Sequence, residues 1–221
     1  MEKLFFKGIV IAALTISFVG TSCKKNDDND SSSISGTISG EHADWDEISV
    51  SFDDGYSSAK TASISNGKFS LKLPTPNSND LELMDDFEEG VNISDRSAKG
   101  IFAGIYVKKG SQKAELLLCN ITLVPIKSIT QVTYIYVDKN VNITGTDSDT
   151  EDGVTYTQTI NLKLSKGWNP VIYSATESSS GNVTINIKTG SVPSNLYWMV
   201  VDENPYSLDN RFPSRLIRTT P

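Results

Sequence analysis

The chain has 221 residues, 38% of them hydrophobic, with a formal net charge of −7, two cysteines and a single histidine. That length and apolar content support one large or two small domains with a buried core. An acidic chain without grouped Lys and Arg argues against a nucleic-acid partner, because phosphate contacts need clustered cations. Arg211, Arg215 and Arg218, the nearest thing to a cluster, read as a solvated tail.

The first element is the run from Met1 to Ser22. Lys3 and Lys7 make a basic start, Ile9 to Val19 is apolar, and Gly20-Thr21-Ser22-Cys23 follows. A spanning helix needs about 20 apolar residues to cross roughly 30 Å of hydrocarbon. This stretch is shorter and runs at once into Lys24-Lys25, which is the layout of a cleaved signal peptide over residues 1–22. Small residues leading into a cysteine resemble the lipobox of bacterial lipoproteins, with Gly20 standing where that pattern usually carries Leu or Val. The resemblance implies a diacylglyceryl group on the Cys23 sulfur, cleavage just before it, and acylation (palmitate or similar) of the new amino terminus. Two or more chains hold firmly, at about 0.8 kcal/mol per buried CH₂, so the membrane is the first expected partner. Cleavage leaves 199 residues and takes the formal charge from −7 to −8, since two lysines depart with one glutamate.

Lys24-Lys25-Asn26-Asp27-Asp28-Asn29-Asp30 comes next. It resembles the lysine-plus-acid export signal of Bacteroidetes-type surface lipoproteins, which implies an outer-membrane anchor with the domain on the cell surface. A periplasm-facing anchor is the alternative. Residues 23–33 are too polar to bury anything and are expected to act as a disordered acidic tether, about 15–20 Å long on average for flexible chain.

From residue 34 to 203 the pattern alternates with period two, the signature of half-buried strands. Over residues 154–165 the even positions Val154, Tyr156, Gln158, Ile160, Leu162 and Leu164 are apolar but for one, and the odd positions are all polar. Ile48-Ser49-Val50-Ser51-Phe52, Phe69-Ser70-Leu71-Lys72-Leu73 and Val183-Thr184-Ile185-Asn186-Ile187-Lys188 repeat the pattern. Residues 132–137 are apolar on both faces, as in the middle of a packed sandwich. Turns fall at Asp53-Asp54-Gly55, Ser65-Asn66-Gly67-Lys68, Lys109-Gly110-Ser111, Glu151-Asp152-Gly153 and Ser165-Lys166-Gly167. The expected fold is an all-β, antiparallel β-sandwich of about ten to twelve strands, as one sandwich or as two stacked modules joined near residues 75–80. One helical piece is expected over residues 79–89, and residues 204–221, with three prolines, read as irregular tail.

Two further resemblances rest on these segments. Ile34-Ser35-Gly36-Thr37-Ile38-Ser39-Gly40, with residues 48–52 and 65–74, is similar to the opening of transthyretin-like or carboxypeptidase-regulatory-like sandwiches. Tyr134-Ile135-Tyr136-Val137-Asp138-Lys139-Asn140-Val141-Asn142-Ile143-Thr144-Gly145, with Leu162-Lys163-Leu164-Ser165-Lys166-Gly167-Trp168-Asn169 downstream, resembles a pattern in uncharacterised Bacteroidetes-type lipoproteins. The first implies a sandwich fold, the second implies address and fold, and neither brings an activity.

Chemistry-bearing residues are sparse. With Cys23 lipidated only Cys119 remains, so no intramolecular disulfide forms, and its apolar run Leu116-Leu117-Leu118-Cys119 predicts a buried, inert thiol. His42, in Glu41-His42-Ala43-Asp44-Trp45, reads as a loop residue, with no Gly-x-Ser-x-Gly elbow to accompany it. Asp147, Asp149 and Asp152 space like part of a calcium loop, yet Asp152 stands where an EF-hand needs Gly and Gln158 where it needs Glu. A solvated hairpin tip is the plainer reading, an irregular calcium site the minor one, and no cofactor is expected. Asp85, Asp86, Glu88 and Glu89 read as a solvated acidic loop rather than a glycosidase pair. Among the aromatics, Trp198 is expected in the core, Trp168 as a cap on the sandwich, and Trp45 exposed beside His42 as a ligand contact. The expectation is a lipid-anchored surface protein with a non-catalytic structural or protein-interaction role. A glycan-binding module is the alternative and a hydrolase the third reading.

Overall fold

The computed structural model describes residues 32–38, 44–52, 58–84, 90–122 and 127–201. The signal peptide, Cys23, nearly all of the tether, His42, the 53–55 turn, the acids at 85–89 and the tail 204–221 lie outside the described residues. The described chain is all-β, and fourteen strands occur in it: β1 (Ser33–Thr37), β2 (Glu47–Ser51), β3 (Lys60–Ser63), β4 (Lys68–Lys72), β5 (Glu82–Leu83), β6 (Val91–Ile93), β7 (Lys99–Lys109), β8 (Gln112–Thr122), β9 (Ser128–Val137), β10 (Val141–Glu151), β11 (Val154–Leu164), β12 (Gly167–Glu177), β13 (Val183–Thr189) and β14 (Tyr197–Val201).

Twelve of them share one sheet, in the order β3-β2-β7-β8-β9-β12-β13-β11-β10-β6, with β14 added on β8 and β5 on β7. β1 and β4 pair separately and meet β14 through an Ile38–Trp198 bridge. The strand ladders are antiparallel except β11–β13, which is parallel because β13 returns between β11 and β12. The expected turns are present. Asn66-Gly67 and Asp152-Gly153 both carry positive φ (51° and 71°, 52° and 80°), the backbone of a two-residue hairpin whose twist matches its strands.

The core has two parts. The first packs Ile34, Ile48, Val50, Leu71, Val107, Leu116 and Trp198, from β1, β2, β4, β7, β8 and β14. The second packs Ile143, Ile160, Leu162, Leu164, Ile185 and Ile187, from β10, β11 and β13. β9 and β12 serve both. Val132, Tyr134 and Ile172 face the first part, while Ile135, Val137, Val171 and Ala175 face the second. That double burial is the reason residues 132–137 are apolar without alternation.

Two expectations are corrected. The described part of residues 79–89 is no helix: Asn77–Asp80 is a turn closed by Asp80 Oδ2, which accepts from the Asn77 N–H at 2.9 Å, and Glu82–Leu83 joins the edge of β7. Asn and Asp side chains that bond nearby backbone compete with the helix, and the pairing with Lys99–Gly100 settles the outcome. Trp45 is half-buried and packs on the first core rather than standing free in solvent. Its apolar ring gains more from that contact than the acidic composition of its loop suggested.

Candidate functional site

The β10–β11 hairpin is the longest paired unit, eleven residues on each side from Val141↔Leu164 to Glu151↔Val154. Its base is fastened by two chain corners lying side by side. At the corner between β11 and β12, the Asn169 amide donates to the Ser165 carbonyl (2.7 Å) and the Gly167 carbonyl (2.8 Å). Asn169 Oδ1 accepts from the Ser165 N–H (2.9 Å). At the corner between β9 and β10, Asn140 Oδ1 accepts from the Lys166 N–H (2.8 Å) and so ties one corner to the other. Asp138 Oδ1 accepts from the Lys99 N–H (2.9 Å), and Lys139 donates to Ser97 Oγ (2.9 Å) beside Asp95. Hydrogen bonds from Ser97, with Lys139 nearby, hold the Asp95 carboxyl below its ordinary range. Residues 138–140 and 165–169, from two separate stretches of the sequence, are thus brought together in space.

Above that base the hairpin carries two different faces. Val141 and Ile143 point into the second core, and the same face of β10 continues as Asp147, Asp149 and Glu151, opposite Gln158 and the core-packed Tyr156 and Val154. The other face is a regular array of hydroxyls and amides. Thr144 pairs with Asn161, Thr146 with Thr159, Ser148 with Thr157 and Thr150 with Thr155. Thr184, Asn186 and Lys188 of β13 extend the rows. Ser148 and Thr157 hydroxyls are 3.2 Å apart, as are those of Thr150 and Thr155.

A shallow, widely open depression runs along this array, lined by Gly90, Asn92, Thr144, Thr146, Thr159 and Asn161. Gly145 also lines it. A Cβ there would sit 2.7 Å from the Gly90 carbonyl oxygen and 2.9 Å from Val91 Cα, so β6 packs against bare backbone. β6 pairs with β10 only over Ile143, Thr144 and Gly145. Among the described residues no strand pairs with the outer edge of β10 over residues 146–151.

The sequence-predicted site residues do not converge. Asp147 and Asp149 share one face of β10 and Asp152 sits in the turn; among the described residues no three His, Cys, Asp or Glu side chains group closely enough to hold a metal ion. Trp168 donates from Nε1 to the Pro74 carbonyl (3.0 Å), stacks on Phe52 and meets Tyr136 edge-on. Trp198 donates to the Ser35 carbonyl (3.3 Å) and meets Phe69 edge-on at 5.2 Å. All three tryptophans therefore pack on the first core instead of forming one flat platform. The polar odd positions of residues 154–165 are legible in the sequence, but the array also needs β10 and β13 as neighbours, which only the pairing supplies.

Cys119 is 1% exposed, and burial pushes its thiol up to about 12. Burial likewise pushes Tyr173 up to about 12. Only the thiolate reacts, so a disulfide dye such as DTNB at pH 8 should label Cys119 only after unfolding. Labelling of native protein within minutes would contradict its placement. Both folded pKa values lie above their ordinary values of 9.0 and 10.0. Their contribution to stability is therefore complete below about pH 9 and lost as pH rises towards 12. A urea midpoint that falls across that window is the expected result, and a flat one would reject it.

No known protein-family model, curated protein or solved structure matches the chain.

Proposed function

We propose that this protein is a lipid-anchored component of the bacterial cell envelope that works by binding rather than by catalysis. Cys23 and its signal peptide supply the anchor, and residues 24–33 hold the β-sandwich clear of the bilayer on the surface side of the outer membrane. The observation that carries the binding role is the β10–β11 hairpin, with its clamped base and an outer edge that no described strand covers over residues 146–151. A sheet edge recognises an extended segment by main-chain hydrogen bonds, and side chains at alternate positions set specificity. Asp147, Asp149 and Glu151 favour a protein segment carrying Lys or Arg at that spacing.

Protease treatment of intact cells tests the address. Wild-type protein should be digested from outside, and Cys23→Ala protein should be released or left unprocessed. Full protection of wild type would turn the domain inward, and unchanged membrane attachment of Cys23→Ala would remove the lipid anchor.

The depression beside Gly145 favours a second reading, binding of a neutral glycan. Its Thr and Asn side chains both donate and accept, as hydroxyl-rich ligands require. In affinity electrophoresis on neutral polysaccharides, retardation should occur and be abolished by Thr159→Arg. Equal mobility on every gel would eliminate this reading.

A further inference from the structure

Three strands meet pairwise at one point of the sheet. β7 pairs with β8 through Tyr106–Lys109 and Gln112–Glu115. It pairs with β9 through Gly100–Ala103 and Tyr134–Val137. β8 in turn pairs with β9 through Leu118–Thr122 and Ser128–Val132. Between the three ladders lie Gly104 and Ile105 of β7, Leu116 and Leu117 of β8, and Thr133 of β9. Each is paired on its outer side: Gly104 and Ile105 to β2, Leu116 and Leu117 to β14, Thr133 to β12. Their inner sides belong to no ladder.

Buried backbone N–H and C=O groups require partners, and the inner sides of these residues draw none from the three ladders. A small cavity of about 30 Å³ lies at this junction, with Ile105, Leu116, Glu115, Gln131, Thr133 and Tyr134 in its lining. Gln131 is 8% exposed, and its Oε1 is buried with no hydrogen-bond partner among the described residues. An orphaned amide oxygen at a junction of interrupted ladders calls for a small donor. The space is large enough to admit a water-sized molecule, and buried waters typically make about three hydrogen bonds.

We propose that this junction seats one ordered water molecule as part of the fold, donating to Gln131 Oε1 and bridging the inner backbone of β7, β8 and β9. The water closes the branch that lets β9 leave β8, join β7 and serve both halves of the core. A bare monovalent cation is the competing occupant, since it too satisfies oxygen acceptors and Glu115, Thr133 and Tyr134 also line the cavity, and a rubidium soak separates the two.

High-resolution diffraction from the purified protein, with crystals grown in sodium salt and then soaked in rubidium salt, tests this. The expected result is one peak about 2.7–3.2 Å from Gln131 Oε1 with two or three further polar neighbours, and no anomalous signal from rubidium. An anomalous rubidium peak would overturn the proposal in favour of a cation site. Absence of any peak, with the Gln131 amide bonded directly to strand backbone, would overturn it outright. In solution, Gln131→Leu should raise amide exchange at Leu117 and Thr133 by about tenfold while exchange at Ile160 and Ile185 in the second core stays near wild type. Unchanged exchange at the junction would count against the bridge. Should that variant not fold, diffraction from the wild type decides alone.

Discussion

Asn169→Ala is expected to lower the melting temperature by roughly 5–12 °C. The side chain is 8% exposed and makes three hydrogen bonds within one corner, two donated to carbonyls and one accepted from a backbone N–H. Alanine removes all three while Ser165 and Gly167 stay where they are, so their backbone groups lose partners in a site that water reaches poorly. Leaving buried groups unsatisfied costs about 1–3 kcal/mol each, partly offset by relaxation, which makes about 2–4 kcal/mol in total reasonable. For a domain of this size each kcal/mol moves the midpoint by about 2–4 °C. Asn169→Asp keeps the acceptor for the Ser165 N–H but sets a carboxylate against two carbonyl oxygens, so it should be destabilised as well. Calorimetry on the three proteins checks this, and a shift below 2 °C for alanine would show that the corner is held by something else. The effect should extend to the hairpin, because Asn140 ties this corner to its neighbour through the Lys166 N–H.

Gly36→Ala should act comparably at the other end of the molecule. Gly36 pairs with Phe69 across β1–β4, and a Cβ on it would lie 2.1 Å from Trp198 Nε1 and 2.2 Å from Cδ1. No rotamer adjustment of alanine relieves that contact, so the indole must move. It then weakens its hydrogen bond to the Ser35 carbonyl and its edge contact with Phe69. Overpacking typically costs about 1–3 kcal/mol, and a lost hydrogen bond about 0.5–1.5 kcal/mol more. The expected signature is a loss of about 2–4 kcal/mol in urea unfolding together with a red-shifted tryptophan emission. Trp198→Phe in the same chain removes the clashing atoms, so the double variant should lose less than the sum of the two single losses. Strict additivity would mean that Gly36 and Trp198 do not share the site.

Nothing in the local sequence of residues 34–40 calls for a glycine at position 36. Its physical reason is an aromatic ring arriving from β14, more than 160 residues later. Trp45 shows the same separation. Its neighbours in sequence are acidic and hydrophilic, yet the sheet places it against the first core. The 79–89 segment shows it again, since its Leu and acidic residues suit a helix locally and the free edge of β7 claims Glu82–Leu83.

What the sequence by itself determined is local. Alternation sets which side chains of residues 154–164 face the core. Asn66-Gly67 and Asp152-Gly153 set the hairpins, because few other residues tolerate that backbone. The apolar run around Cys119 predicts a thiol that burial keeps neutral. Only the tertiary structure decided the rest: that β13 lies parallel beside β11, that β9 is shared between two halves of the core, and that the Thr and Asn rows of three strands align into one face. Strand alternation says which face is buried and not which strand lies alongside. Partner choice depends on non-local pairing, whose chain-entropy cost and packing gain are spread over the whole molecule.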